Sequence, residues 1–230
     1  HNYASYISSF DIFPSKIFEG ASQRVSIILQ SRGIGLFTSK YYRWLQVERT
    51  QLMNSITYMR NDLFRIEGWT ARINNELLLN IMTKMARNIP IGQYVHSSYA
   101  PPLYIHRIIN NFVKAVDFEP YFKKGDGTIT HSDDFKQLFV ESEYRDAVLC
   151  ALNSNLFYWY WRSHGDGFHC GFKDIDKFPL TLANNSIITS MVIKTFNSSI
   201  KFIKLLVFKI CNFIQVNRTM IINNWIANHI

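Results

Sequence analysis

Two stretches of this chain hold residue types that do chemistry as well as fill space. "FPSKIFEGASQRVSIIL" (13–29) sets a lysine, a glutamate, a glycine and an arginine ahead of an apolar run. "ALNSNLFYWYWRSHGDGFHCGFKDIDKFPL" (151–180) sets aromatics beside arginine, two histidines and a glycine-rich turn. His164, His169 and Cys170 come nearest to a metal set. His169 and Cys170 are adjacent, however, and no second pair has ligand spacing, so no metal site is expected. Asp134-Phe135-Lys136, with Asp117 or Asp126 upstream, is the pattern a metal-dependent nuclease uses: carboxylates hold the cation and the lysine steadies the nucleophile. No Walker loop, HExxH, GxSxG or GxGxxG occurs. The single Pro-Pro, at Pro101-Pro102, lies between alanine and leucine, which is not the Asn/Asp-Pro-Pro-aromatic turn of amino-directed DNA methylation. No catalytic residue and no cofactor is therefore assigned to this chain.

The elements that must position these residues follow from periodicity. Residues 1–20 read as loop and turn, punctuated by Pro14 and Gly20. "QRVSIILQ" (23–30) reads as a buried strand and "IGLFTSKYY" (34–42) as its hairpin partner across a short glycine-containing loop. Val47, Leu52, Met53 and Ile56 have helical spacing, and 74–89 reads as a firmer helix closed by Pro90. Residues 91–140 break into short strand-like pieces. "SEYRDAVLCALNSNLFYWYW" reads as helix with Ser142 at its N-cap and Val148, Leu149, Leu152 and Leu156 as core stripe. Trp159 and Trp161 face different ways, and Trp159 is expected in the core. The fold class is α+β: an N-terminal β-hairpin, a small mixed sheet with helices, and a helical C-terminus, divided at 1–48, 49–180 and 181–230.

The chain has 230 residues, 47% hydrophobic and 15% aromatic, with a net charge of +8. Up to Asp176 there are 19 basic and 17 acidic residues; beyond it there are six basic residues and no acidic one. A basic balance favours polyanions. In 185–216, Lys194, Lys201, Lys204 and Lys209 share one helical arc opposite an apolar stripe. That suits a helix packed on a partner, and a protein- or membrane-surface module built on it is a third functional reading beside DNA binding and the nuclease. Lysines interrupt the apolar run, so a membrane partner is not favoured. Three cysteines without a CxxC suit a reducing, cytoplasmic setting.

"FDIFPSKIFEGASQRVSIILQSRG" with "IGLFTSKYYRWLQVERTQL" resembles the last part of the catalytic domain of adenine-specific DNA methyltransferases of bacterial restriction–modification systems, the large single-chain type IIG group above all. "YIHRIINNFVKAVDFEPYF" and the 151–180 stretch resemble the target recognition domain that follows in those proteins. The likeness covers roughly residues 8–180, in the family's order. It implies that 1–48 is the tail of an α/β methylase domain and 49–180 the recognition domain, with double-stranded DNA as partner. It further implies that the cofactor and catalytic turns belong to a methyltransferase half preceding residue 1, which brings S-adenosylmethionine to the full-length protein. On that resemblance the DNA contacts are expected from Lys16; from Lys40, Tyr42 and Arg43; from His106, Arg107, Asn111 and Lys114; and from Arg162, His164, His169 and Lys173.

Overall fold

The computed structural model describes residues 3–62, 65–66, 69–95 and 101–180, all within one compact unit, His1–Leu182. The lysine-rich stretch expected as a C-terminal helix lies outside the described residues. The class is α+β.

The first layer is a four-stranded sheet. Its strands are β1 (Tyr3–Phe10), β2 (Val25–Arg32), β3 (Gly35–Tyr42) and β4 (Met59–Arg60), in the order β2-β1-β3-β4. β1 runs antiparallel to β2 and parallel to β3. The two strands expected as a hairpin are thus both present, but β1 is threaded between them. Their link, Gly33-Ile34, must cross two inter-strand spacings, roughly 9.6 Å. Three extended residues reach about 10 Å, so the crossing is nearly taut. Gly33 (φ 139°) and Gly35 (φ 143°) bend the chain at its ends where side chains are disfavoured.

β1 corrects the expectation of a loop over 1–20. Its serines read as turn residues, yet Ser8 and Ser9 are buried and bonded to β2, Ser9 Oγ lying 3.0 Å from Ser26 Oγ. β2 in turn is not buried. It is the sheet edge, with Ile28 and Leu29 more than half exposed. Phe10, Tyr42, Trp44 and Leu52 form the core of this layer, with Ile17, Ile27 and Ile56 packed on it. The expected helix near 47–56 is instead two short 3-10 turns, Gln46–Glu48 and Met53–Ser55. Leu52 and Ile56 pack on the sheet core, while Val47 and Met53 are exposed.

A short hairpin, β5 (Arg65–Ile66) with β6 (Trp69–Thr70), leads into the second layer. There α1 (Glu76–Met85) starts where the Asn75 side chain accepts the Leu78 N–H at 3.0 Å, and it buries Met82 and Met85. Residues 91–94 form a 3-10 turn, not a strand. β7 (Leu103–His106) pairs with β8 (Ala115–Val116) and β11 (Phe135–Leu138); β9 (Phe122–Lys123) and β10 (Ile129–Thr130) make an outlying hairpin. The long helix expected from Ser142 is two: α2 (Arg145–Leu152), with Tyr144 at the N-cap position, and α3 (Asn155–His164). Ser154 starts α3 by accepting the Phe157 N–H at 3.1 Å. α4 (Phe172–Asp176) follows the glycine turn. Val148, Leu149 and Leu152 are buried as expected, with Leu156 packed against them. Trp161, at 1% exposure, is the core tryptophan; Trp159 is only partly buried.

A buried polar network joins the layers. Thr38 of β3 donates to the Ile73 carbonyl (2.8 Å) and accepts from the Ile73 N–H (3.2 Å) and the Asn61 amide (3.1 Å). Asn61 also donates to the Ala71 carbonyl (2.5 Å). Thr38 and Asn61 thus bond the backbone of Ala71 and Ile73 on either side of Arg72, so Arg72 is held against β3 with little freedom, although Asn61 Oδ1 is left buried without a partner.

A candidate nucleic-acid interface

Side chains on a strand alternate between faces. In β3 and its continuation, Tyr42 therefore turns inward while Tyr41 and Arg43 share the other side. Tyr42 is 4% exposed, its hydroxyl donating to the Ser55 carbonyl (3.2 Å) and accepting from the Thr57 N–H (3.1 Å). It is a core residue and does not face DNA as expected. Tyr41 is instead the centre of a basic seam. Arg72 lies over its ring at 4.7 Å and Arg162 at 4.9 Å. Arg162 also donates to the Tyr41 carbonyl (3.3 Å) and sits over Tyr158.

Arg72 is positioned from both sides. Its N–H donates to the Ser163 carbonyl (2.9 Å), and its guanidinium donates to the carbonyls of Arg162 and Gly165 at 2.7 Å each. These α3 carbonyls are the negative end of the helix, which favours a cation there. Burial pulls the Arg72 guanidinium below its ordinary pKa, against the pull of Tyr41, and the neighbouring Arg162 lowers it further. Burial also raises the Tyr41 phenol, with Asp11 adding to the rise and Arg24 and Arg72 opposing it.

Arg43 extends the seam. It donates to the Phe13 carbonyl (3.1 Å), the Asn110 carbonyl (3.0 Å) and Asn111 Oδ1 (3.2 Å), and it lies 3.5 Å from the Tyr158 hydroxyl. Asp11 is paired with both Arg24 and Arg43 at 3.4 Å. Lys40 is exposed, its ammonium 5.0 Å from the Tyr42 ring centre. Lys40, Tyr41, Arg72, Tyr158, Trp159 and Arg162 line one cleft of about 280 Å³. Among the described residues, Asp11 is the one carboxylate at ion-pair distance from this set of Arg24, Lys40, Arg43, Arg72 and Arg162. Stacked guanidinium groups with aromatic faces suit phosphate and base contacts.

The other expected contacts divide. His106, Arg107 and His169 are brought together by two paired loops: Cys170 N–H donates to the Arg107 carbonyl and Ile109 N–H to the Phe168 carbonyl. Acids lie beside both: Arg107 pairs with Asp134 (3.1 Å), and His169 Nδ1 lies 2.9 Å from an Asp166 carboxylate oxygen. Lys114 is exposed beside Phe112. Lys16 lies apart, bonded to Ser22 at 3.3 Å, and Lys173 lies on α4. His164 is only 8% exposed, so it faces no DNA from this side. Arg24, Tyr41, Arg72 and Tyr158 were not expected in the site. For Tyr41 the period of two was a usable signal; for Arg72 no local signal exists, since its place is set by Thr38 and Ser163.

The glycine turn is not a cofactor cradle. A Cβ at Gly165 would meet Trp161 at 2.8 Å, and one at Gly167 (φ 79°) would meet the Tyr41 ring at 2.8 Å. Trp161 and Tyr41 fill the space directly beside these two glycines. The nuclease triplet is likewise occupied: Asp134 by Arg107, and Lys136 by stacking 5.2 Å over Phe172. Among the described residues no group of three or more His, Cys, Asp or Glu side chains is placed to hold a metal ion, and no helix is long and apolar enough to cross a membrane.

No family model, no curated protein and no solved structure matches the chain.

Proposed function

We propose that this chain is a DNA-binding module that recognises duplex sequence for a restriction–modification adenine methyltransferase, with methyl transfer carried by another part of the protein or another chain. The observation that carries the reading is the seam of Arg24, Arg43, Arg72 and Arg162 gathered around Tyr41 and Tyr158, with exposed Lys40 lining the same cleft and Asp11 the one carboxylate at ion-pair distance among the described residues. Such a density of cations is costly to assemble without an anion to meet it. Phosphate is the polyanion whose geometry matches paired guanidinium forks. Arg43 sits next to Asn110 and Asn111, so backbone grip and base-edge donors adjoin.

The edge strand β2 supports the second half of the reading. Ile28 and Leu29 are largely exposed on this edge strand, whose outer side has no partner strand among the described residues, which suits continuation of the sheet into a neighbouring domain. S-adenosylmethionine belongs to that catalytic part in this reading, and no residue here is assigned to it. The test is selection from random duplex DNA, sequencing the bound fraction. Enrichment of a short motif is the expected outcome. Salt-sensitive binding with no motif would leave backbone grip alone, and no binding at low salt would remove the DNA reading altogether.

A further inference from the structure

The seam carries an anion of its own. Asp11 directly follows β1 and is only 6% exposed, and its carboxylate reaches two of the seam's arginines. Its Oδ1 accepts the Ile12 N–H at 2.8 Å and lies 3.4 Å from Arg24 Nε; its Oδ2 lies 3.4 Å from Arg43 Nε. A charge-assisted bond from guanidinium to carboxylate is ordinarily about 2.7–2.9 Å, and its strongest form is a two-pronged fork. Asp11 makes neither. Arg43 gives its Nε hydrogen to the Phe13 carbonyl at 3.1 Å, and Arg24 Nε is buried without a hydrogen-bond partner. The carboxylate therefore lowers the charge of the seam without closing a guanidinium fork.

Both arginines have other anchors. Arg43 donates through Nη1 to the Asn110 carbonyl and to Asn111 Oδ1, and the Arg24 guanidinium lies 5.1 Å from the Phe168 ring centre. What Asp11 adds to these contacts is negative charge. In the free chain it offsets the repulsion of neighbouring guanidinium groups. A phosphate arriving at either arginine meets the same charge as repulsion and competes with it for the same cations. A buried charge is screened little by salt, so the effect persists at working ionic strength.

We propose that Asp11 is an internal counter-ion that restrains the seam, holding its affinity for phosphate below what its cations alone would give. The inference rests on the seam as the anion site, and on the DNA reading only where the anion is DNA.

The probes are inorganic tripolyphosphate and one DNA duplex, each titrated at low salt onto the intact chain, Asp11→Asn and Asp126→Asn. Asp11→Asn keeps an oxygen for the Ile12 N–H and removes the charge. Asp126, which accepts the Thr128 N–H at 2.9 Å in the β9–β10 turn, gives the same change of net charge on a residue outside the seam. Asp11→Asn is expected to bind tripolyphosphate at least about fivefold more tightly than the native chain, and Asp126→Asn less than about twofold. Weaker binding by Asp11→Asn would make Asp11 a residue that positions the arginines, and equal gains in both variants would be an effect of net charge; either result overturns the proposal. Should Asp11→Asn not fold, the Asp11 ¹³Cγ resonance of the native chain is expected to move as tripolyphosphate saturates. An unmoved resonance, or no tripolyphosphate binding, overturns the proposal as well. A gain for tripolyphosphate with no duplex binding by any of the three chains supports the restraint and removes the DNA reading. Duplex binding by the native chain with no gain for either anion in Asp11→Asn keeps the DNA reading and removes the restraint.

Discussion

At the scale of the residue, His164 and Cys170 show how burial overrides side-chain identity. Burial drives the His164 imidazole down to about 4, outweighing its bond to the Tyr160 carbonyl; nearby Arg72 acts in the same direction. The unfolded chain takes up that proton near the ordinary value of 6.5, so below it the unfolded state binds more protons. This contribution to stability is present in full above about pH 6.5 and is lost as pH falls towards 4, by on the order of 3 kcal/mol. Urea melts from pH 7 to pH 4 are expected to show that slope, reduced in His164→Phe; equal slopes would contradict it. Burial also pushes the Cys170 thiol up to about 12, with Asp174 adding to the rise. At pH 8, alkylation followed by peptide mass spectrometry is expected to label exposed Cys150 and to spare Cys170 until the chain unfolds. Residue type was legible in the sequence at these positions; depth was not. His164 stands in a polar run, SHGD, that reads as exposed, and only the close fit of α3 against its neighbours makes it a buried base.

At the scale of the element, the glycine turn after α3 packs against the centre of the seam. Gly167 holds a left-handed conformation against Tyr41, and Tyr41 carries Arg72 and Arg162. Gly167→Ala combines backbone strain with a steric push on that ring, and is expected to cost roughly 1–3 kcal/mol. Gly20→Ala has open space around it and is expected to stay within about 0.5 kcal/mol of the native chain. Denaturant melts of the two variants give the comparison, and equal stabilities would show that Gly167 does not brace the seam. The helix over 76–85 was legible because its apolar stripe and its Asn75 cap agree. β1 was not. A strand that satisfies its serines against a neighbour looks the same, residue by residue, as a serine-rich loop. The threading of β1 between β2 and β3 is a long-range fact with no local signature beyond Gly33 and Gly35.

At the scale of the whole molecule, charge is concentrated by folding. The residues up to Asp176 are nearly balanced in number, yet Asp134, Asp166 and Asp62 lie against Arg107, His169 and Arg60, while the seam around Tyr41 has Asp11 alone at ion-pair distance among the described residues. Composition therefore pointed to a polyanion for a reason partly different from the structural one: the described cationic site lies outside the acid-free C-terminal stretch. Lys40 is the most direct handle, because it is exposed and its ammonium, 5.0 Å from the Tyr42 ring centre, is in no ion pair among the described residues. The decisive measurement is the affinity of the chain for one duplex across a salt series, beside the Lys40→Gln/Lys114→Gln double variant. Each phosphate contact contributes about −0.9 to the slope of log K against log salt. DNA binding through these residues predicts a steep native slope that flattens by roughly two units in the variant. A native affinity indifferent to salt, or a variant with an unchanged slope, would contradict it.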